Sequence, residues 1–249
     1  MNELIKYWKQ EEARVFEGWD FSSIETYMTE EKLPWDYDTL ARSLIKKNLK
    51  VLDMGTGGGE FLLSLHPFSK MTFATEKYKP NFEYAKNILD EEGICLKYVE
   101  EDSNLPFESY FFDVILNRHE SFDPKEVYRI LKPGGVFLTQ QVGGMNTVEF
   151  ATELLGVKPA VIDTSRGLES VVKSLGNKFE VLKQAEAFPK LRFSEVGAFV
   201  YFAKIIEWEF PEFSVEKHLD ALMALQEKIE AKGFFELIEH RFLIKAIKK

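Results

Sequence analysis

The stretch Val51-Leu52-Asp53-Met54-Gly55-Thr56-Gly57-Gly58-Gly59-Glu60 constrains this chain more than any other. An apolar run meets an acid, four of the residues from 55 to 59 are glycine, and a second acid opens the amphipathic stretch that follows. Such a segment reads as a buried strand turning sharply into a helix. The glycines belong where the backbone angles demand them or where a side chain would block an approaching ligand. In an open α/β sheet, ligands bind at the carboxyl ends of the strands, and the turn after the first strand is the usual place.

The rest of the chain keeps the rhythm that this turn starts. Apolar runs at Val51–Met54, Met71–Thr75, Cys95–Val99, Phe112–Leu116 and Val136–Gln141 read as buried strands. Phe61–Leu65, Asn81–Leu89 and Pro124–Leu131 read as the helices between them, with Pro80 and Pro124 where first-turn prolines are tolerated. Alternation of this kind predicts parallel strands joined by right-handed crossovers. The expected fold is therefore α/β: a doubly wound, Rossmann-like sheet with helices on both faces. Residues 1–44 read as a helical cap broken at Leu33-Pro34-Trp35-Asp36-Tyr37, and 45–193 as the core of one domain. Helical signals at about 147–155 and 165–175 lead to a strand near 179–189. Residues 194–232 read as a helical insertion, and 233–249 as closing strands, Phe234–Glu239 and Phe242–Ile247.

Composition narrows the class of partner. No apolar run reaches the roughly 20 residues needed to cross a bilayer, and the charged start MNELIKYWKQEEARVF lacks the apolar core of a signal peptide. A cytoplasmic address and no membrane partner are the expectations. Net charge is −9, so release of counterions from a phosphate backbone offers little, and nucleic acid is disfavoured as a partner. Cys95 is the single cysteine. It excludes an intrachain disulfide and a cysteine-rich zinc site, no metal is expected, and its apolar neighbours predict a buried thiol. The lysine-rich end, Lys245 to Lys249, reads as a solvated strand and tail.

Taken together, the motifs resemble those of class I S-adenosylmethionine-dependent methyltransferases. VLDMGTGGGE is similar to the family's first motif. Glu76 ends the second strand, where the family places an acid on both ribose hydroxyls. Glu101-Asp102-Ser103-Asn104-Leu105-Pro106-Phe107 resembles its D-x-x-x-L-P-F segment with one residue fewer, Phe112-Asp113-Val114-Ile115 its F-D-x-I/V strand, and Arg129-Ile130-Leu131-Lys132-Pro133-Gly134-Gly135 its R-V-L-K-P-G-G turn. The resemblance covers about residues 45–142. It implies a seven-stranded sheet with an antiparallel last strand, and S-adenosyl-L-methionine as cofactor. The cofactor residues it implies are Asp53, Gly55, Thr56, Gly57, Gly59, Glu76, Lys77, Asp102, Ser103 and Asn117. A nicotinamide dinucleotide is the weaker ligand. Its fingerprint wants a glycine where Glu60 stands, and Asp53 repels a pyrophosphate but suits the zwitterionic methionine end of S-adenosylmethionine.

Methyl transfer from a sulfonium needs orientation and desolvation, and a base only where the acceptor atom carries a proton. Asn117 and His119, after the fourth strand, are the catalytic candidates, His119 as base because imidazole titrates near neutrality. Arg118 either holds an anionic substrate or pairs with Glu120. Trp35 and Tyr37 offer aromatic rings beside a cation. Tyr201 and Trp208 belong to an aromatic cluster, with Phe199, Phe202, Phe210 and Phe213, that roofs an apolar pocket, packs on the sheet or forms a dimer face. The expected acceptor is a small molecule, and the expected assembly a monomer or homodimer. An RNA-modifying methyltransferase and a non-catalytic S-adenosylmethionine-binding module are the alternatives.

Overall fold

A computed structural model describes residues 2–15, 21–156 and 166–249. Parts of the expected cap (residues 1 and 16–20) and of the expected core (157–165) lie outside them.

Seven strands form the large sheet: β2 (Lys50–Met54), β3 (Met71–Glu76), β4 (Cys95–Tyr98), β5 (Phe112–Arg118), β6 (Leu131–Val142), β7 (Phe179–Ala187) and β10 (Arg241–Lys248). Their order is β4-β3-β2-β5-β6-β10-β7. The pairs from β4 through β6 are parallel, and β10 runs antiparallel to both β6 and β7. Successive side chains of a strand point to opposite faces, and the core divides accordingly. Leu52, Ile115, Phe137 and Ile244 pack on one face with Val127 and Ile130 of α5 (Pro124–Ile130) and Leu175 of α7 (Leu168–Leu175). Their chain neighbours Val51, Val114, Leu116, Leu138 and Leu243 pack on the other face. There they meet Ala41 of α2 (Tyr37–Leu44), Leu62 of α3 (Glu60–Ser64), and Ala85 and Leu89 of α4 (Lys79–Glu91). Helices on both faces make the sheet doubly wound.

A second sheet stands over the carboxyl ends of these strands. It joins β1 (Met28–Glu30), β8 (Lys190–Phe193) and β9 (Phe235–Ile238), antiparallel throughout, in the order β1-β8-β9. Of the two expected closing strands, the second completes the large sheet as β10, whereas the first pairs in this small one. The N-terminal segment, read as helical, likewise contributes β1 after α1 (Asn2–Glu12). Between β8 and β9 lie α8 (Val196–Ile205) and α9 (Leu219–Lys232). A helix apolar on every side must be enclosed, and eight consecutive residues of α8, Val196 to Ala203, are buried. With Phe150 of α6 (Val148–Leu155), they form an aromatic-rich core under the small sheet.

Two surface expectations are corrected. Cys95 is exposed, because β4 is the edge strand of the large sheet. Lys248 is buried: its ammonium donates to the carbonyls of Tyr128 (2.5 Å) and Leu131 (2.7 Å) and lies over the Tyr128 ring, 3.9 Å from its centroid. Its aliphatic stem and aromatic neighbours make that burial tolerable. The Lys-Pro-Gly-Gly turn is a bulge within β6, which shifts the register against β5 between Phe112 and Val114.

Candidate active site

The carboxyl ends of β2, β3, β5 and β6 bring Asp53, Glu76, Asn117, Arg118, Gln140 and Gln141 to one edge of the sheet. Because β10 is antiparallel, its first residue, Arg241, arrives at the same edge opposite Val142. Between this edge and the small sheet lies a cavity of about 1740 Å³. Drug-sized ligands occupy roughly 300–1,000 Å³, so the space accommodates a cofactor and a second molecule beside it.

The glycine turn forms the cavity's first wall. Gly55, Gly57 and Gly59 have φ of 67°, 62° and 90°, the left-handed region that other residues enter only under strain. Glu76 holds the turn in place. Its carboxylate accepts from the backbone N–H groups of Gly57 (2.7 Å), Lys77 (2.9 Å) and Tyr78 (2.7 Å). A carboxylate offers about four acceptor positions, so one remains for a ligand hydroxyl. Asp53 is buried beneath the turn, and that burial pushes its carboxyl up to about 7, against the neighbouring Thr56 hydroxyl and Arg118, which lower it. The Thr56 hydroxyl is buried beside that carboxyl and reaches no other partner among the described residues. An acidic floor with a hydroxyl beside it and a left-handed glycine turn fit a ligand with cationic and hydroxyl groups, as S-adenosylmethionine has.

A polar latch closes the far side of the turn. Lys77 bridges Glu120 (2.6 Å) and Asp102 (3.5 Å), and Ser121 donates to Asp102 at 2.5 Å. Glu120 is thereby drawn so close over Gly55 that a Cβ there would collide with its side chain. Asp102 and Lys77 line a narrow cleft with Glu76 and Val99 rather than the main cavity. Ser103 turns away and donates to Glu101 (3.2 Å).

The second wall departs further from expectation. Asn117 is fully buried and absent from the cavity wall. Its Oδ1 accepts from Thr139 (2.7 Å) and Gln141, and its amide nitrogen has no hydrogen-bond partner among the described residues. Tyr37 lies in the wall with its hydroxyl locked between strands, accepting from the Asn117 N–H (3.1 Å). Arg118 stacks over Phe61, 4.8 Å from the ring centroid, while Glu120 pairs with Lys77 instead. Tyr201 is buried outside the cavity beneath Arg14, 4.0 Å from its ring. Phe202 and Trp208 line the cavity, and Phe199, Phe210 and Phe213 pack into the core behind them.

His119 and Trp35 belong to one hydrogen-bonded chain. The Trp35 indole donates to Gln140 Oε1 (2.7 Å), which turns the Gln140 amide nitrogen toward His119 Nε2 (3.0 Å). An amide NH₂ only donates, so Nε2 accepts and the imidazole proton resides on Nδ1. The ring lines the wide cavity, solvent-accessible there although deep among protein atoms. That desolvation, with Arg241 and Arg118 nearby, holds its pKa well below the ordinary histidine value. His119 also has a φ of 60°, a costly conformation for a residue with a side chain, found most often at functional sites.

Several cavity residues had no sequence motif to announce them: Glu30, Gln140, Gln141, Asn146, Glu209, Glu239 and Arg241. The signal available was polarity in apolar company. Gln140-Gln141 ends an apolar strand, and Glu239-His240-Arg241 begins one. Among the described residues, no cluster of histidine, cysteine or acid suits a metal ion, and no helix is long and apolar enough to cross a membrane.

Residues 52–139 match the family model for a methyltransferase domain. No curated protein sequence matches the chain. Among solved structures, a candidate methyltransferase from Bacillus halodurans aligns with a TM-score of 0.60 at 19% identity, covering 86% of this chain and 98% of that one. The cyclase SpnF covers 99% of this chain and 92% of its own length, with a TM-score of 0.54 at 16% identity. Geranyl diphosphate methyltransferase, solved with GPP and sinefungin, gives a TM-score of 0.53 at 10% identity, over 85% of this chain and 76% of that one. Identities this low speak for the fold, and the family match speaks for the domain. Strand order, glycine turn and family match agree: residues 52–139 match a methyltransferase domain, set in a doubly wound, Rossmann-like sheet.

Proposed function

We propose that this protein transfers a methyl group from S-adenosylmethionine to a small organic acceptor held in the cavity between the two sheets. The observation that carries the reading is the joint position of Asp53, Glu76 and the left-handed glycine turn at one end of a cavity with room for a second molecule. When bound, the cofactor supplies an activated methyl group on a sulfonium cation. Asp53 would face its cationic end and Glu76 would take a ribose hydroxyl. The small sheet covers one side of the cavity and limits water there, and fixed geometry lowers the barrier to displacement. The acidic chain total and a walled cavity support a small acceptor over RNA.

Titration with S-adenosylmethionine, S-adenosylhomocysteine and NAD tests this directly. Binding of the adenosyl ligands without NAD is expected; tighter binding of NAD, or of neither adenosyl ligand, rejects the reading. Asp53 adds a pH signature. Its folded value near 7 stands above the ordinary aspartate value of about 3.9. The free protein therefore loses stability relative to the unfolded chain as pH rises from about 4 to 7, and no further above that. A cation binds the ionised form, so affinity for S-adenosylmethionine should rise by up to about tenfold per pH unit below 7 and level off above. Asp53→Asn should flatten that profile; an unchanged slope would remove Asp53 from the site.

His119 then serves as a hydrogen-bond donor through Nδ1 and not as a base, since Nε2 is occupied by Gln140. Nitrogen-15 spectra of the imidazole should show the proton on Nδ1 across neutral pH, with the preference weakened in Trp35→Phe. A proton on Nε2 in the native protein contradicts this role.

A further inference from the structure

The inner face of the small sheet carries two carboxylates that a single guanidinium answers only in part. Glu30, Leu191 and Leu237 stand in register across β1, β8 and β9, so they share one face, and Glu239 follows two residues after Leu237. Met28, Glu30, Leu191 and Glu239 all line the cavity. Glu239 is 3% exposed. Its Oε1 accepts from Arg241, whereas Oε2 has no hydrogen-bond partner among the described residues. Burial raises its pKa, Arg241 opposes that, and the adjacent carboxyl of Glu30 and that of Glu209 raise it further. Two of the other charges nearby are committed. Arg241 also donates to Asn146 Oδ1 (2.5 Å) and the His240 carbonyl (3.2 Å), and Glu209 accepts from Asn146 (2.5 Å) and Thr147 (2.7 Å).

We propose that the acceptor is held by a protonated amine, gripped between the carboxylates of Glu30 and Glu239, with Phe202 and Trp208 flanking its apolar part. The proposal rests on the reading of the cavity as a methyl-transfer site and names the acceptor's chemistry. An ammonium brings donors and no acceptor, whereas ionised carboxylates accept only. A buried acceptor without a partner is costly, and a charge-assisted bond removes that cost. The field points the same way. Ten carboxylates line the cavity against four lysines and arginines, and a cleft of one sign concentrates the opposite charge. An acceptor held by its carboxylate would face Glu30 and Glu239 at like charge, with Arg241 already engaged.

Matched pairs of amine and carboxylate provide the test: 2-phenylethylamine against 3-phenylpropionate, and tryptamine against indole-3-propionate. Each is titrated into the protein saturated with S-adenosylhomocysteine, and into Glu30→Gln and Glu239→Gln. The amines should bind at least about tenfold more tightly than their partners, a difference of 1.4 kcal/mol. Either variant should erase most of that preference while S-adenosylhomocysteine still binds, which also shows that the variant is folded. If Glu239→Gln fails to fold, Glu30→Gln, at an exposed position, decides alone. Equal or tighter binding of the carboxylates, no binding of either amine, or a preference that survives substitution overturns the proposal. Failure of the native protein to bind S-adenosylhomocysteine would instead reject the methyl-transfer reading itself.

Discussion

Replacing Phe199 by alanine lowers the stability of this protein by about 3–5 kcal/mol, the range for truncating a buried phenylalanine. The side chain is fully buried in α8. Its ring meets Phe150 of α6 at 5.3 Å, Phe193 of β8 at 5.6 Å, Phe235 of β9 at 5.5 Å, and Phe210 and Phe213 at 5.5 and 5.9 Å. All five pairs are edge-on, the geometry that adds attraction beyond area burial. Deleting the ring leaves a cavity whose walls come from four elements or connections and cannot collapse together. Urea unfolding of Phe199→Ala measures the loss, and a change below about 1 kcal/mol, within the range of ordinary surface substitutions and small repacking, would contradict this account.

Glu76→Ala is expected to weaken binding of S-adenosylhomocysteine by at least about tenfold, since hydrogen bonds to a charged group contribute roughly 1.5–3 kcal/mol. Two losses combine. The ligand loses the acceptor proposed for its ribose, and the N–H groups of Gly57, Lys77 and Tyr78 lose the carboxylate that holds them. The second loss loosens the glycine turn even without ligand, so the variant should also melt at lower temperature. Glu76→Gln separates the two effects: its single carbonyl oxygen supports part of the backbone set, and binding should fall between native protein and alanine variant. Calorimetric titration reads the affinity, and native affinity in Glu76→Ala would reject the assignment.

Much of the floor was legible in the sequence because it is local. A strand, a glycine turn and a helix are specified by residues within one stretch, and Asp53 and Glu76 follow from their places at strand ends. The alternation of strand and helix likewise identified the sheet, since buried parallel strands are apolar on both faces. The roof was less legible. β1, β8 and β9 come from residues 28–30, 190–193 and 235–238, and no periodicity reveals which distant strands pair. Side-chain direction was also beyond reach: Asn117 occupies the expected strand end, yet its amide turns toward Thr139 and away from the cavity. Tyr201 and Phe202 are adjacent in sequence, and the helix directs one beneath Arg14 and the other to the cavity. Lys248 defeated the expectation of a solvated tail because two carbonyls and a tyrosine ring replace its water.

Glu239 and His240 alone carry the chain from β9 in the roof to β10 in the floor. The apolar core beneath the roof shares no residue with the two cores flanking the large sheet. The order of assembly follows from this arrangement. Strands β2 to β6 come from one continuous stretch, residues 50–142, and their pairings close over modest separations along the chain. The roof must join residue 28 to residue 193 and then to 235, which carries a larger loop-closure cost and is slower to form. The half of the cavity proposed for the cofactor is thus specified early and locally, and the half proposed for the acceptor waits for strands at residues 190–193 and 235–238.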